Sequence, residues 1–374
     1  MDSVFVSNPR NNYSVPHDII IDILTQLPVE SLIRFKRVCK SWYSLIKDDN
    51  FIKQHYDTHQ NCQKYFVVCR RHKISTHYTM ELDSNSIASL VAPPVPIDQS
   101  RKAFNEIQYC SCNGILLITY ANDIIIMWNP ATRESRRIPK SKSGGLYNFC
   151  YFPRIESYKI FRLGPVVFNG DKDEMDIDIF STKSNKWKTV GIFPPDYYFE
   201  GTSVVMSDGI VYMMAERKEN ENCTILRFCL DKEEFQEELL FPNTIPSEIH
   251  VVGEKLCLIG SLMSNHKIHE FWLYMMKTNS WNKILAIRLP SKTCLKPLSF
   301  IKDGGIMFKN YMSKYVFKAY NSTTHKLEKV NVAGLEGHNF KESGKGWDVS
   351  ISISILAYDT LSPWVVTSEL VSAY

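Results

Sequence analysis

The stretch IDIFSTKSNKWKTVGIFP, from Ile177 to Pro194, decides how this chain is read. It opens with apolar residues at every second position, passes through a polar turn, meets Trp187, and stops at Phe-Pro. Alternation at period two marks a half-buried strand, and a Ser/Thr/Asn cluster between two such runs marks a hairpin. The plan recurs as IIIMWNPATRESRRIP (Ile124–Pro139), LRFCLDKEEFQEELLFP (Leu226–Pro242), FWLYMMKTNSWNKILAIRLP (Phe271–Pro290) and FKAYNSTTHKLEKVNV (Phe317–Val332). Four of the five copies close on an apolar residue followed by proline, at Pro139, Pro194, Pro242 and Pro290.

Working outward, glycines that head or break apolar runs fall at Gly114, Gly164, Gly209, Gly253 and Gly304, separated by 44 to 51 residues. A repeat of roughly 45–50 residues built from short strands belongs to propeller blades rather than to a helical solenoid. Blades stacked around an axis leave few free edges. A large β-sandwich is the competing architecture, but chance spacing does not align five paired landmarks. Residues 62–374 at this period predict six or seven blades, and Trp347–Tyr358, with DVSISISILAY, reads as a strand pair that helps to close the ring.

Residues 16–56 carry a different period. Ile19, Ile20, Ile23, Leu24 and Leu27 recur at helical spacing, with Pro16 in the first turn and Asp18 facing the positive helix end. Pro28 ends that helix. A second short helix carries Leu32, Ile33 and Phe35, and a third carries Val38, Trp42, Leu45 and Ile46. Three short helices cannot bury their apolar faces alone, so the module leans on the rest of the chain or on a partner.

Composition excludes several classes. With 374 residues, 44% hydrophobic and 22% charged, the chain has material for a core and is neither disordered nor collagen-like. A net charge of +4 announces no nucleic-acid binder. Met1–Ser14 has no signal-peptide pattern, and the most apolar stretch, Gly114–Trp128, is broken by Asn122 and Asp123, so cytosol or nucleus is expected. Ten cysteines in a long chain do not make a disulfide framework. His55, His59, Cys62, Cys69 and His72 resemble a metal cluster in composition, but their order fits no common zinc module and there is no Cys-x-x-Cys pair. No metal and no cofactor is expected.

The helical segment, VPHDIIIDILTQLPVESLIRFKRVCKSWYSLIKDDNFIKQHY (Val15–Tyr56), resembles the F-box, the module that docks substrate receptors on a Skp-type adaptor. Two positions depart from the family pattern: Val15 stands where leucine is usual, and Asp49 lies near a proline of many plant members. The β region resembles the plant F-box-associated domain through SCNGILLI (Ser111–Ile118), WNPATRESRRIP (Trp128–Pro139), YKIFRL and IDIFSTKSNKWKTVG. Length and the ending YNSTTHKLEKVNVAGLEG are similar to the S-locus F-box subgroup, whose members recognise non-self S-ribonucleases in pollen. The resemblance implies an α+β multidomain chain: a flexible 1–14, a three-helix F-box at 15–56, a connector with first strands at 57–108, and a kelch-like propeller at 109–374. It also implies a non-catalytic receptor of an SCF-type ubiquitin ligase, with a Skp-type adaptor, a cullin and a RING subunit as partners, and neither membrane nor nucleic acid. An F-box receptor for another plant regulatory protein, or a propeller lectin or enzyme, are the alternatives.

On this reading the adaptor contact falls to Pro16, Asp18, Ile23, Leu24, Leu27, Pro28, Leu32, Val38 and Trp42, with Leu27-Pro28 exposed at a helix boundary. Catalytic motifs are absent: the sequence has no Gly-x-Ser-x-Gly elbow, Walker loop or His-Glu-x-x-His helix. His266 and His269 read as loop histidines. Between Glu216 and Glu238 stand eight acids against four bases. Together with the Asp171–Asp178 run this predicts an acidic patch of Asp173, Glu174, Glu219, Glu221, Glu233 and Glu234 that would steer a basic protein target. Arg133, Arg136, Arg137, Lys140 and Lys142 form a basic hairpin tip without interleaved aromatics, and it reads as structural.

Overall fold

The two periodicities become two regions in the computed structural model of the chain. Described are residues 15–59, 64–71, 74–81, 88–90, 108–120, 124–142, 144–164, 174–200, 204–252, 255–262, 264–288, 295–300, 305–310, 317–321, 323–330, 342–343, 346–347 and 349–356. The helical region holds four helices, not three: α1 His17–Thr25, α2 Val29–Phe35, α3 Lys40–Lys47 and α4 Asp49–His59. Asp48 makes the difference. Its backbone is extended, and its Oδ1 accepts the N–H groups of Asn50 at 3.0 Å and Phe51 at 3.2 Å, which caps a new helix. Asp49 thus opens α4. That first position accepts proline because its N–H has no partner within the helix, and it accepts an acid because of the helix dipole, which accounts for the Asp49 departure.

Proline plays a related part at the first two helix starts. Pro16 and Pro28 are the cap residues of α1 and α2, both extended, so each sets the direction of the helix that follows. Leu24, Val29, Leu32, Ile46, Phe51 and Ile52 bury themselves between the four helices. His55 is buried beside them and its Nε2 donates to the Leu27 carbonyl at 2.9 Å, tying α4 to the corner between α1 and α2.

The β region is a propeller of antiparallel sheets. Sheet 1 joins Lys64–Arg71, Ile74–Glu81 and Ala88–Leu90 to the distant strand Val349–Leu356, which pairs with Lys64–Arg71 along its whole length. One late strand, rather than a strand pair, therefore closes the first sheet. Sheet 2 spans Gln108–Ile138, sheet 3 Leu146–Ile192, sheet 5 Ile245–Arg288 and sheet 6 Leu295–Val330, each with four strands in chain order. Sheet 4 has five, because two short strands, Tyr197–Phe199 and Val205–Ser207, share the inner edge of Ile210–Arg217. Among the described residues five of these six sheets are regular four-stranded blades, against the six or seven expected. Equal division of the length fails because sheet 1 draws on both ends of the chain and sheet 4 breaks the four-strand form.

The repeat seen in sequence is a repeat of backbone geometry. The turn before each outer strand places one residue in the left-handed region: Arg133, Asn185, Glu233, Asn279 and His325, with φ between 48° and 62°. Two residues later stand Ser135, Trp187, Phe235, Trp281 and Leu327, each paired across the hairpin with an aromatic residue, Trp128, Phe180, Phe228, Tyr274 and Tyr320. Asn113-Gly114 and Asp208-Gly209 are two-residue turns with both φ positive, the geometry that suits the twist of a hairpin. Gly164 has another role, since it ends a strand where a Cβ would meet the Cα of Gly145 at 2.7 Å. Gly253 and Gly304 lie outside the described residues.

Polar groups stitch the blades together at both edges. At the inner edge Gln108 donates to the Gly145 carbonyl at 2.7 Å and accepts from the Tyr147 N–H, and Asn148 donates to the Val204 carbonyl at 3.0 Å. Glu248 accepts from His250 at 2.9 Å and from Lys296 of sheet 6 at 2.7 Å. At the outer edge the Trp187 indole donates to the Pro139 carbonyl and that of Trp281 to the Leu240 carbonyl, both at 2.8 Å. Each tryptophan landmark therefore binds the end of the blade before it.

Candidate functional site: two exposed faces

Chain direction gives the propeller two unlike faces. The turns between first and second strands, and between third and fourth, gather at one end; those between second and third strands, and the links between sheets, gather at the other. Ala131, in the Asn129–Glu134 turn of sheet 2, packs on the helical core, so the helices sit at the first end. Asn129 shapes that turn, its Oδ1 accepting from the N–H groups of Ala131 and Thr132. Lys36 at the end of α2 is half-buried there; burial lowers its pKa while the Glu134 carboxylate opposes the shift. The far face is free of the helices.

The nine residues expected at the adaptor contact divide by burial. Pro16, Asp18, Ile23, Pro28 and Val38 are exposed, and Leu27 and Trp42 are half-buried. Leu24 and Leu32 are the exceptions, at 1% and 0% exposure: they hold the helices together and present no surface. Leu27 is likewise less open than expected, because α4 closes over the corner through His55. Three further exposed apolar residues lie outside the nine expected contacts, Val15, Ile19 and Tyr43. The signal for Ile19 was present: Ile19 and Ile23 stand four positions apart on α1 and both face outward.

The six carboxylates expected as one patch are not brought together. Glu219 and Glu221 lie in the turn between the strands Ile210–Arg217 and Cys223–Cys229 of sheet 4, on the far face. Glu233 and Glu234 lie at its opposite end, where Lys188 pairs with Glu233 and Lys232 with Glu234. Glu174 is exposed at the far end of sheet 3, and Asp173 lies outside the described residues. Sequence distance misled here because a strand of seven residues carries the chain across the whole blade.

Other charged groups serve the scaffold. Arg162 is fully buried; its guanidinium donates to Asp178 Oδ2 at 2.7 Å and to the Gly144 carbonyl at 2.7 Å, while Thr189 donates to the second Asp178 oxygen. In the basic segment, Arg136 donates to Asn185 at 2.9 Å and Lys142 pairs with Asp176 at 2.7 Å, both reaching sheet 3. Arg217 and Tyr197 both donate to Glu238 across sheet 4. Burial alone would raise the Glu238 pKa, and these bonds outweigh it and lower it.

The histidine–cysteine set does not converge on a metal site among the described residues. His55 and His59 stack with ring centroids 4.2 Å apart, and Cys62 and His72 lie outside the described residues. His266 and His269 are in the strand Asn265–Met275 rather than in a loop. No helix among the described residues is long and apolar enough to cross a membrane.

Comparison with known proteins accounts for both regions. The family model described as the F-box associated beta propeller domain matches residues 65–358, and the F-box domain model matches residues 13–54. The F-box protein At3g08750 of Arabidopsis thaliana is 28% identical over 255 residues, covering 66% of this chain and 66% of its own length. The chain thus spans a little under two thirds of that relative. The F-box protein CPR1 of the same plant is 26% identical over 334 residues, covering 78% of each chain.

Proposed function

This chain belongs to the F-box-associated β-propeller family and carries an F-box ahead of the propeller, and from that premise we propose that it is the substrate-recognition subunit of an SCF-type ubiquitin ligase. The helices dock a Skp-type adaptor, which links the chain to a cullin and a RING subunit, and the propeller holds the target. The observation that carries this reading is the apolar surface of the helical module. Val15, Ile19, Ile23, Val38 and Tyr43 are each 45–59% exposed although the same helices bury six core residues. Such a surface suits a hydrophobic partner interface.

The chain itself does no chemistry in this scheme. It raises the effective concentration of target lysines near a conjugating enzyme, which accelerates transfer by proximity and orientation. Its place of action is the cytoplasm, with the nucleus included. The finer reading, drawn from the S-locus resemblance, gives the target as a non-self S-ribonuclease in pollen. An F-box receptor for another plant regulatory protein shares the first half of the mechanism.

Co-purification with a plant Skp-type adaptor tests the receptor reading. The unaltered chain retains the adaptor, whereas an Ile23→Ser/Val38→Ser variant loses it with helical circular dichroism unchanged. A folded, unaltered chain that captures no adaptor refutes the proposal.

A further inference from the structure

Of the six exposed large apolar residues among the described part of the propeller, four, Ile192, Tyr198, Leu240 and Ile245, lie on the far face around sheet 4. Tyr198 and Ile245 begin the inner edges of sheets 4 and 5, and Leu240 follows the last strand of sheet 4. Tyr198 and Ile245 therefore rim the inner part of the cleft between these sheets at the far end, whereas Leu240 stands at its outer edge beside Trp281. The floor of that cleft is apolar, with Met214, Ile225, Leu239, Leu258 and Tyr274 from its two walls.

Two groups in the cleft have a buried polar atom with no partner among the described residues, the Trp272 indole nitrogen and Glu270 Oε2. Glu270 is only 2% exposed, and pairs across its strand with Gly260, two residues along from the rung that sets Leu258 against Trp272. Leu258 and Trp272 face sheet 4, so the pleat turns Glu270 the same way. Gly260 permits Thr244 of the connecting segment to close down there, since a Cβ would meet its Oγ1 at 2.4 Å. Lys283 donates to Glu270 Oε1 at 3.1 Å, while Oε2 is buried with no partner among the described residues. A buried carboxylate oxygen without a donor is costly, and a ligand that supplies the donor recovers that cost.

On the sheet 4 side the rim carries the same charge preference, while Lys267 and Arg288 are exposed at the far end of sheet 5. Asp196, Glu200, Glu219 and Glu221 are exposed at this end of sheet 4, and the exposed Lys218 ammonium lies 4.7 Å over the Tyr198 ring. Arg217 is engaged with Glu238. We propose that the far end of the cleft between sheets 4 and 5 is the docking groove for a target segment that inserts a Lys or Arg side chain toward Glu270 and rests an adjacent apolar side chain on Tyr198 and Ile245. The assignment rests on the receptor reading and gives the chemistry of the recognised segment, a cation beside an apolar anchor.

The test uses the full chain co-purified with its adaptor and two pools of short synthetic peptides. In one pool a Leu, Phe or Tyr is flanked by Lys or Arg; in the other the same residue is flanked by Asp or Glu. Fluorescence polarisation is expected to show binding of the basic pool only, weakening as salt rises. Glu270→Gln, which keeps the shape, lowers that affinity about tenfold, and Tyr198→Ala lowers it by a comparable factor. Adaptor capture stays unchanged in both variants, so failure of the groove is distinguishable from failure of the receptor reading. Equal binding of the two pools, no binding of either, or a Glu270→Gln variant that binds as tightly as the parent overturns the proposal.

Discussion

The helical module and the propeller use apolar residues in opposite ways. In about forty-five residues the module buries one small core and leaves Val15, Ile19, Ile23, Val38 and Tyr43 on its outside. The propeller is far larger, yet among the described residues it exposes only six large apolar side chains, four of them near strand ends in sheets 3 to 5. The difference teaches that helical spacing alone does not separate core from interface. Leu24 and Ile23 are neighbours in sequence, but one is sealed and the other is half open to water. In the propeller, by contrast, strand alternation and hairpin turns assign almost every apolar residue to a cleft between blades.

The comparison breaks most sharply at buried charge. Asp178→Asn removes the carboxylate bonded to the sealed Arg162 guanidinium, a loss of about 3–5 kcal/mol. Thermal unfolding of the propeller should fall steeply, while the helical module keeps its exchange protection. An unchanged melting temperature would mean that water reaches Arg162.

Leu32→Ala carries the converse test. It empties a fully buried position and should cost about 2–5 kcal/mol within the module alone. Amide exchange in α1–α4 should rise and adaptor capture should fall with it. Comparing this variant with Ile23→Ser/Val38→Ser separates a residue that acts through folding from residues that act through contact.

A smaller effect is expected at the outer edge of the propeller. Trp187→Phe removes the indole donor to the Pro139 carbonyl and keeps the aromatic ring, a loss of about 1 kcal/mol. The expected readout is a modest fall in the denaturant midpoint. No change would show that ring packing, rather than the stitch, justifies tryptophan in the repeat.

Acid titration sharpens the inner edge. Burial alone would raise the Glu248 pKa, but hydrogen bonds from His250 and Lys296 outweigh it and bring it to about 2. A carboxyl lowered on folding stabilises the native state above its unfolded value near 4.5, and that contribution is lost as pH falls toward 2. Glu248→Gln should therefore narrow the stability difference between neutral and acidic solution. His55 adds to the acid side by another route: burial lowers its pKa, so below its ordinary value near 6.5 protons favour the unfolded chain. Replacing His55 would separate the two contributions.

Much of this architecture was legible before any coordinates. The landmark stretches became hairpins with a left-handed residue at one fixed place, and Trp187 and Trp281 became stitches to the segment before them. Other features were not legible. The fourth helix depended on the Asp48 side chain capping two N–H groups, a local choice that apolar spacing does not report. The acidic patch failed because one strand separates Glu219 from Glu233 by the height of a blade. Glu270 carried no signal at all in the sequence.

By itself the sequence determined the two regions, the hairpin repeat and the families to which they belong, because these follow from residue spacing along the chain. Only the tertiary structure decided which apolar side chains face outward, how the late strand Val349–Leu356 completes sheet 1, and that Glu270 lies sealed beside an open apolar rim. Those facts depend on what the neighbouring elements cover, and burial belongs to the assembled layers rather than to any one strand or helix.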